Sequence, residues 1–228
     1  MCGRYAAKVL PEDIEEEFGI ESVPADLRPR WNIAPTQEAP VVVLDGSRKL
    51  KLFRWGLIPH WAQSPTIGSK QINARAETLE ERPVYREPFR SRRCLVVANG
   101  FYEWKKNGTG KIPMYIHRST GRPMAFAGLW DEWLAPNSER VRTFTVITTT
   151  PNALMASIHD RMPVILPPSA YEVWLSPRAT RMELLSLLRP DENEGLVAHA
   201  VSSKVNSADA EGPDLILPVK VAEQQSLF

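Results

Sequence analysis

The sequence is poor in cysteine and in net charge. Its 228 residues include two cysteines, Cys2 and Cys94, which are too few for a disulfide framework and lack the paired spacing of a zinc site. Twenty-eight basic side chains against twenty-seven acidic ones leave a formal net charge of +1. Any binding of nucleic acid must therefore come from a local basic surface.

Long apolar runs and phosphate-binding loops are also missing. No run approaches the roughly 20 apolar residues that a membrane span needs, and the first residues lack the apolar core of a signal peptide. No glycine-rich phosphate loop or cluster of metal ligands is present, so we expect no cofactor and no metal. We expect a cytoplasmic protein, associated with the nucleoid if bacterial, with no membrane partner.

Short β-favouring runs dominate the sequence. Gly, Pro, Asn or Ser separates most of them, as is typical of strands joined by turns. The first two runs flank Asp45, Gly46 and Ser47 and predict a hairpin with a loop of about four residues. The predicted strands cover residues 41–44, 50–55, 94–98, 101–104, 114–117, 124–129, 143–148, 197–201 and 215–219.

Four short helices are predicted between the strands. The first begins at Pro11 and ends at Gly19, and the others cover 151–158, 168–175 and 180–188. In the last of these, Met182, Leu185 and Leu188 form a stripe that predicts a buried face. We expect an α+β fold with a curved or barrel-like, mostly antiparallel β core. One domain is expected over 1–221, followed by a tail over 222–228.

Cys2 is the first candidate for a reactive group. Removal of Met1 would give it a free α-amine beside its thiol, a 1,2-aminothiol. The reference pKa of an α-amine is ~7.7–8.0, against ~10.4 for lysine, so far more of it is neutral and nucleophilic near pH 7.5. The amine can attack an aldehyde, and the thiol can then close a five-membered thiazolidine ring.

Three further segments carry candidate groups. Asn73 and Arg75 lie on one side of a predicted extended segment, where they can orient a polar reactant and grip a phosphate. Glu103 lies within an aromatic run, where burial would raise its pKa toward the range of a proton carrier. His159 suits proton transfer near neutral pH. The alternatives are a solvated turn, an edge-strand carboxylate and a structural histidine.

Basic and aromatic side chains also alternate in a manner suited to a single DNA strand. The basic candidates can line a groove, and the tryptophans Trp31, Trp55 and Trp61 can stack on bases or separate them. The alternative is that the charges form a solvated face and the tryptophans belong to the core. The basic candidates are Arg4, Arg28, Arg30, Arg75, Arg90, Arg92, Arg93, Lys105 and Lys106.

Six motifs in a fixed order resemble those of the SOS response-associated peptidase (SRAP) family. Members of that family shield abasic sites through DNA-protein crosslinks. The resemblance runs from residue 2 to about residue 219. The motifs are Cys-Gly-Arg at 2–4, Trp-Asn-Ile-Ala-Pro-Thr at 31–36, Trp-Gly-Leu-Ile-Pro at 55–59, Ile-Asn-Ala-Arg-Ala-Glu-Thr at 72–78, Gly-Phe-Tyr-Glu-Trp at 100–104 and Ile-His-Asp-Arg-Met-Pro at 158–163.

The resemblance implies a role for each matching residue. Cys2 would form the thiazolidine, and Glu103 would open the deoxyribose ring and move protons. His159 would stabilise the intermediate and promote reversal, while Asn73 would hold the sugar or the Cys2 backbone. The implied contacts with abasic single-stranded or junction DNA are Arg4, Trp31, Asn32, Pro35, Trp55, Trp61, Arg75, Thr148, Thr149 and Arg161.

Three functions remain open on the sequence. The first is a lyase-like protein, expected to be a monomer, that crosslinks to abasic sites. The second is an N-terminal-nucleophile cysteine peptidase or amidohydrolase that removes its own Met1. The third is a module that binds single strands without a covalent step.

The last five residues resemble the short peptides by which bacterial repair and replication proteins dock on the sliding clamp. Leu227 and Phe228 would enter an apolar pocket, and the Gln224 side chain would supply hydrogen bonds. A frayed terminus is the alternative.

Deletion of residues 224–228 is expected to abolish binding to the sliding clamp, because it removes both apolar anchors. Surface plasmon resonance with immobilised clamp measures this binding, and undiminished binding by the truncated chain would rule out the docking peptide.

Overall fold

The computed structural model describes residues 2–8, 10–21, 23–24, 27–190 and 195–220. The proposed clamp peptide, with Gln224, Leu227 and Phe228, lies outside them. The strands are β1 Tyr5–Ala7, β2 Arg30–Ile33, β3 Glu38–Asp45, β4 Ser47–Trp55, β5 Asn73–Arg75, β6 Arg93–Ala98, β7 Gly100–Asn107, β8 Gly110–Arg118, β9 Met124–Leu134, β10 Arg140–Thr149, β11 Met162–Pro163, β12 Ile165–Leu166 and β13 Leu196–Ala200. The α-helices are α1 Pro11–Phe18, α2 Pro83–Ser91, α3 Ala153–Ala156, α4 Tyr171–Leu175 and α5 Arg181–Ser186. Short 3₁₀ segments cover Pro65–Lys70, Ala76–Thr78, Pro168–Ala170, Ser203–Asn206 and Pro213–Ile216.

Five strands close into a barrel in the order β10, β4, β3, β6 and β9, with β9 pairing back onto β10. All of these pairings are antiparallel except the one between β10 and β4, which is parallel. Every residue of β6 is buried, as expected for a strand that faces the barrel interior on one side and helices on the other. The expected α+β fold with a barrel-like core is confirmed.

A second sheet has the order β13, β8, β7, β1 and β2. One of its faces joins the main apolar core, and Tyr102 and Tyr115 belong to a smaller core on the other side. The chain after β13 covers this smaller core with Val201, Val205 and Leu215. Both β1 and β7 belong to this sheet, and they carry Cys2 and Glu103 to the same region.

Most predicted strands are confirmed, and several are longer than the sequence pattern indicated. The predicted hairpin is β3 and β4, in which Asp45 pairs with Ser47 around Gly46 at φ +72°. Its loop is shorter than expected because glycine adopts this left-handed conformation without a steric penalty. The final predicted strand, 215–219, is wrong, since a 3₁₀ turn occupies Pro213–Ile216. Strands β1, β2, β11 and β12 and helix α2 were not predicted.

The helix predictions over 151–158 and 180–188 were right in place and too long, whereas 168–175 is helical throughout, as a 3₁₀ turn followed by α4. The prediction for α1 was right in extent. That helix ends at Phe18, and Gly19 caps it at φ +59°. The predicted stripe on α5 is wrong at Met182, whose side chain is 78% exposed. Leu188 is buried as predicted and Leu185 is half-buried, and Leu184, outside the predicted stripe, is buried as well.

Neither a membrane-spanning helix nor a metal-binding cluster is present among the described residues. Within those ranges, no helix is both long and apolar enough to cross a bilayer. The same part of the chain contains no group of three or more His, Cys, Asp or Glu side chains arranged to hold a metal ion.

Gly100 begins β7 at a point where the chain leaves no room for a side chain. A Cβ atom there would meet the ring of Tyr115 and lie 2.6 Å from the carbonyl oxygen of Ile116. Gly100→Ala is therefore expected to lower the free energy of unfolding by about 1–3 kcal/mol through overpacking. Urea denaturation measures the change.

Gly195→Ala is the control, because a Cβ atom at Gly195 meets nothing within 4 Å. This variant is expected to change stability by less than about 0.5 kcal/mol. Equal stabilities for the two variants would contradict the packing argument.

Candidate active site

Cys2 precedes β1, which pairs antiparallel with β7 through Tyr5 opposite Phe101 and Ala6 opposite Gly100. The backbone N–H of Tyr102 also donates to the carbonyl of Arg4 at 2.9 Å. Continuing this register places residues 2 and 3 beside residues 104 and 103. The pairing therefore brings the N-terminal cysteine alongside Glu103.

The Cys2 side chain is completely buried. Burial raises the pKa of its thiol far above the usual value, and the negative charge of Glu103 raises it further. The hydrogen bond from the Arg4 backbone acts in the opposite direction and is a smaller effect. At neutral pH this sulfur is a thiol rather than a thiolate, so it is a poor nucleophile as it stands.

Asn73 touches Cys2 directly. It lies on β5, which pairs in parallel with β10, and its Nδ2 donates to the Cys2 carbonyl at 2.8 Å. Its Oδ1 is buried and accepts no hydrogen bond from the described residues. The Tyr85 hydroxyl donates to the Asn73 carbonyl at 3.1 Å, and burial raises the pKa of Tyr85 to about 12, so this donor keeps its proton.

Glu103 and His159, the two proton carriers expected from the sequence, lie close together. Glu103 is 2% exposed, and its Oε2 lies 3.9 Å from His159 Nε2. The Arg161 backbone N–H donates to His159 Nδ1 at 3.1 Å, and Asp160 Oδ1 lies 2.9 Å from the same nitrogen. The ring is therefore held on its Nδ1 side, while its Nε2 side faces Glu103.

Glu77 holds the segment that carries Asn73 against the loop that carries His159. The Arg161 guanidinium donates to both Glu77 carboxylate oxygens, at 2.8 and 2.9 Å, and to the Thr148 carbonyl at 2.7 Å. The sequence motifs contain Glu77, but no local pattern indicates that it pairs with a residue 84 positions away.

Cys2, Asn73, Glu103 and His159 thus lie around one point, as expected.

Several side chains that were expected to contact DNA do not face solvent, and these interpretations are corrected. Trp55 is completely buried, stacked near Phe144, and donates to the Ile72 carbonyl. A ring enclosed in the core cannot stack on a base. The other corrected residues are Asn32, Thr148 and Thr149, which are buried with hydrogen bonds to internal backbone carbonyls.

Two of the three expected phosphate-binding arginines are already occupied. Arg161 is paired with Glu77, and Arg4 donates to the Asn32 side chain at 2.8 Å and to the Val205 carbonyl at 2.7 Å. Burial lowers the pKa of Arg4, which still leaves it charged. Of the remaining predicted contacts, Arg75 is exposed, Trp61 is 54% exposed, and Trp31 and Pro35 are half-buried.

Comparison with known proteins places this chain in a described family. A family model described as SOS response associated peptidase (SRAP) matches residues 1–208. The chain is 45% identical to "Abasic site processing protein YoqW" of Bacillus subtilis over 95% of this chain and 99% of that protein. It is 31% identical to "Abasic site processing protein HMCES" of Xenopus tropicalis, over 99% of this chain and 80% of that one.

The fold is also similar to that of solved structures. A crystal structure of a protein from Bacteroides thetaiotaomicron superposes with a TM-score of 0.87 at 29% sequence identity. The similarity covers 96% of this chain and 100% of that protein. The barrel and second sheet described above are therefore shared well beyond close relatives.

Glu77→Gln is expected to lower the free energy of unfolding at pH 7 by about 1 kcal/mol, because it removes the charge from a half-exposed, two-bond ion pair. Arg161 holds the pKa of Glu77 below its usual value, so the ion pair contributes above that value and is lost as pH falls. The difference between wild type and variant is expected to shrink as pH falls through the lowered pKa of Glu77 and to be absent once the carboxyl is protonated, measured by urea denaturation across pH.

Glu80→Gln is the matched control, because Glu80 forms the same kind of pair with the highly exposed Arg181. Glu80→Gln is expected to change the free energy of unfolding at pH 7 by less than about 0.5 kcal/mol. A Glu77→Gln deficit that persists once the Glu77 carboxyl of the wild type is protonated would contradict the assignment of the stability to this ion pair.

Proposed function

This chain belongs to the SOS response associated peptidase (SRAP) family, and from that premise we propose that it processes abasic sites in single-stranded DNA by forming a covalent crosslink through Cys2. Several relatives carry the name "abasic site processing protein", which supports the substrate class. The observation that carries the proposal is the convergence of Asn73, Glu103 and His159 on an N-terminal cysteine.

The chemistry begins after Met1 is removed. The α-amine of Cys2 attacks the aldehyde carbon of the ring-opened abasic sugar, and loss of one water from the resulting carbinolamine gives an imine. The Cys2 sulfur then adds to the imine carbon, while the thiol proton goes to the nitrogen. The product is a thiazolidine, and one water is the only group released.

Each neighbour has a physical task in these steps. Asn73 Nδ2 fixes the Cys2 carbonyl, and its buried Oδ1 offers an acceptor to the freed amine. Ring opening and loss of water both require proton transfer, for which Glu103 and His159 form a buried pair 3.9 Å apart. We assign ring opening to Glu103 and proton exchange with the intermediate, including reversal, to His159.

The state of the Cys2 thiol favours this mechanism over a cysteine peptidase. A thiol peptidase attacks as the thiolate and lowers the pKa of its cysteine, whereas here burial and Glu103 raise it. In the crosslink mechanism the amine attacks first, and the thiol reacts only within a closed ring, where proximity compensates for its weak nucleophilicity. A module that only binds single strands has no use for a buried carboxylate beside its N-terminus.

Intact mass spectrometry of the protein mixed with an abasic oligonucleotide tests the proposal. The mature wild type is expected to gain the mass of the oligonucleotide less one water. Cys2→Ser is expected to form at most an unstable imine, because its hydroxyl does not close a thiazolidine. Glu103→Gln is expected to slow adduct formation by about 10²-fold or more, as for removal of a general acid-base group.

A form that retains Met1 is the decisive control, because its α-amine is not next to the Cys2 thiol. Equal crosslinking by this form, or full protection of an abasic strand by Cys2→Ala, would refute the covalent mechanism. Turnover of a peptide by the mature protein without any DNA adduct would instead support the peptidase.

A further inference from the structure

A groove with an excess of positive charge opens next to His159. It has a volume of about 490 Å³ and lies between the β7–β8 hairpin and the segment after α3. We call it the basic groove and define it by Trp104, Lys105, Lys106 and Lys111 on one side and residues 156–160 on the other. Asp160 is the carboxylate among its lining residues, so its three lysines leave two positive charges in excess.

The three lysines lie at the exposed tip of the hairpin without a compensating acid. Lys106 and Lys111 are directly opposite each other across β7 and β8. Like charges at opposed positions in a sheet repel each other and destabilise the pairing. Within the described part of the chain none of the three has an ion-pair partner, whereas Lys204 contacts Asp214 at 3.2 Å. Because these lysines repel each other, a bound external anion would relieve the repulsion.

The direction of β7 connects this charge to the reactive centre. Side chains two apart lie on the same side of a strand, so Lys105 follows Glu103 on one side of β7. His159 both lines the basic groove and lies 3.9 Å from Glu103. A strand bound at Glu103 therefore meets Lys105 first as it leaves the site. Lys106 and Lys111 line the same groove at the tip of the hairpin.

Two of the three arginines expected to contact phosphate are already bound within the protein, while Arg75 is exposed. Arg161 is paired with Glu77, and Arg4 is hydrogen-bonded to backbone carbonyls. The whole chain has a formal net charge of only +1, so attraction for a polyanion has to be local. The lysines of the basic groove are exposed and free of such partners.

We infer that the basic groove binds the phosphodiester backbone of the DNA strand flanking the abasic site, an assignment that rests on the proposed function. Contact is made by Lys105, Lys106 and Lys111 as point charges, without reading the bases. The contribution is electrostatic and therefore depends on salt through release of counterions from the strand.

The salt dependence of binding to an undamaged single-stranded oligonucleotide tests this inference. Lys106→Gln with Lys111→Gln is expected to reduce the slope of log affinity against log salt concentration by about 1.4, from roughly 0.7 for each phosphate contact. The ratio of the wild-type affinity to the variant affinity is then expected to fall about sevenfold between 50 and 200 mM salt. Fluorescence anisotropy measures both.

Two variants control for general effects of charge and for folding. Lys49→Gln with Lys51→Gln removes two lysines from the β3–β4 hairpin, outside the basic groove, and is expected to leave the slope unchanged. Lys106→Arg with Lys111→Arg keeps both charges and is expected to keep the slope. The melting temperature of the Lys106→Gln, Lys111→Gln variant is expected to be no lower than that of wild type, since a repulsion is removed.

An unchanged slope in the Lys106→Gln, Lys111→Gln variant would overturn the inference, as would an equal change in both glutamine variants. The undamaged strand has no aldehyde, so this outcome does not depend on crosslinking. Failure of the wild type to form an adduct with an abasic strand would instead overturn the proposed function, which separates the two failures.

Discussion

The antiparallel pairing of β1 with β7 is the constraint on which the candidate site depends. A chain terminus normally lies at the surface and is poorly ordered. Here Tyr5 and Ala6 pair with Phe101 and Gly100, and this ladder places Cys2 beside the strand that carries Glu103. The absence of a side chain at Gly100 is part of the same arrangement, because Tyr115 and Ile116 fill the space where a Cβ atom would lie.

The end of β10 completes the site by joining two segments that are distant in sequence. Thr148 is paired with Arg75 of β5 and also with Pro163 of β11, so the segments carrying Asn73 and His159 flank one strand. The Glu77–Arg161 ion pair adds a polar link between the same segments, and the Arg161 backbone N–H donates to His159 Nδ1. The relative position of these side chains therefore depends on sheet pairing.

Charge is distributed in two different ways around this site. The guanidinium groups of Arg4 and Arg161 each donate to several acceptors within the protein, and these hydrogen bonds stabilise the segments around the site. The lysines of the basic groove face solvent, where a compact ammonium on a flexible stem is well suited to a mobile anionic strand. Arginine, with its planar array of donors, is more useful for fixing carbonyls and carboxylates than for loose electrostatic attraction.

Local patterns were sufficient to predict α1, the β3–β4 hairpin and most barrel strands, because alternation, glycine and proline act over a few residues. The resemblance of six motifs identified Cys2, Asn73, Glu103 and His159, and the structure brings them together. Exposure was not predictable: Trp55 and Trp61 are the same residue type, yet one lies in the core and the other is 54% exposed. Strand β1 is only three residues long, and the Glu77–Arg161 pair spans 84 positions, so neither leaves a local signal.

The sequence by itself determined which residue types are available for the chemistry. Only the tertiary structure decided which of them meet and which remain free to bind, because both depend on contacts between residues far apart in the chain.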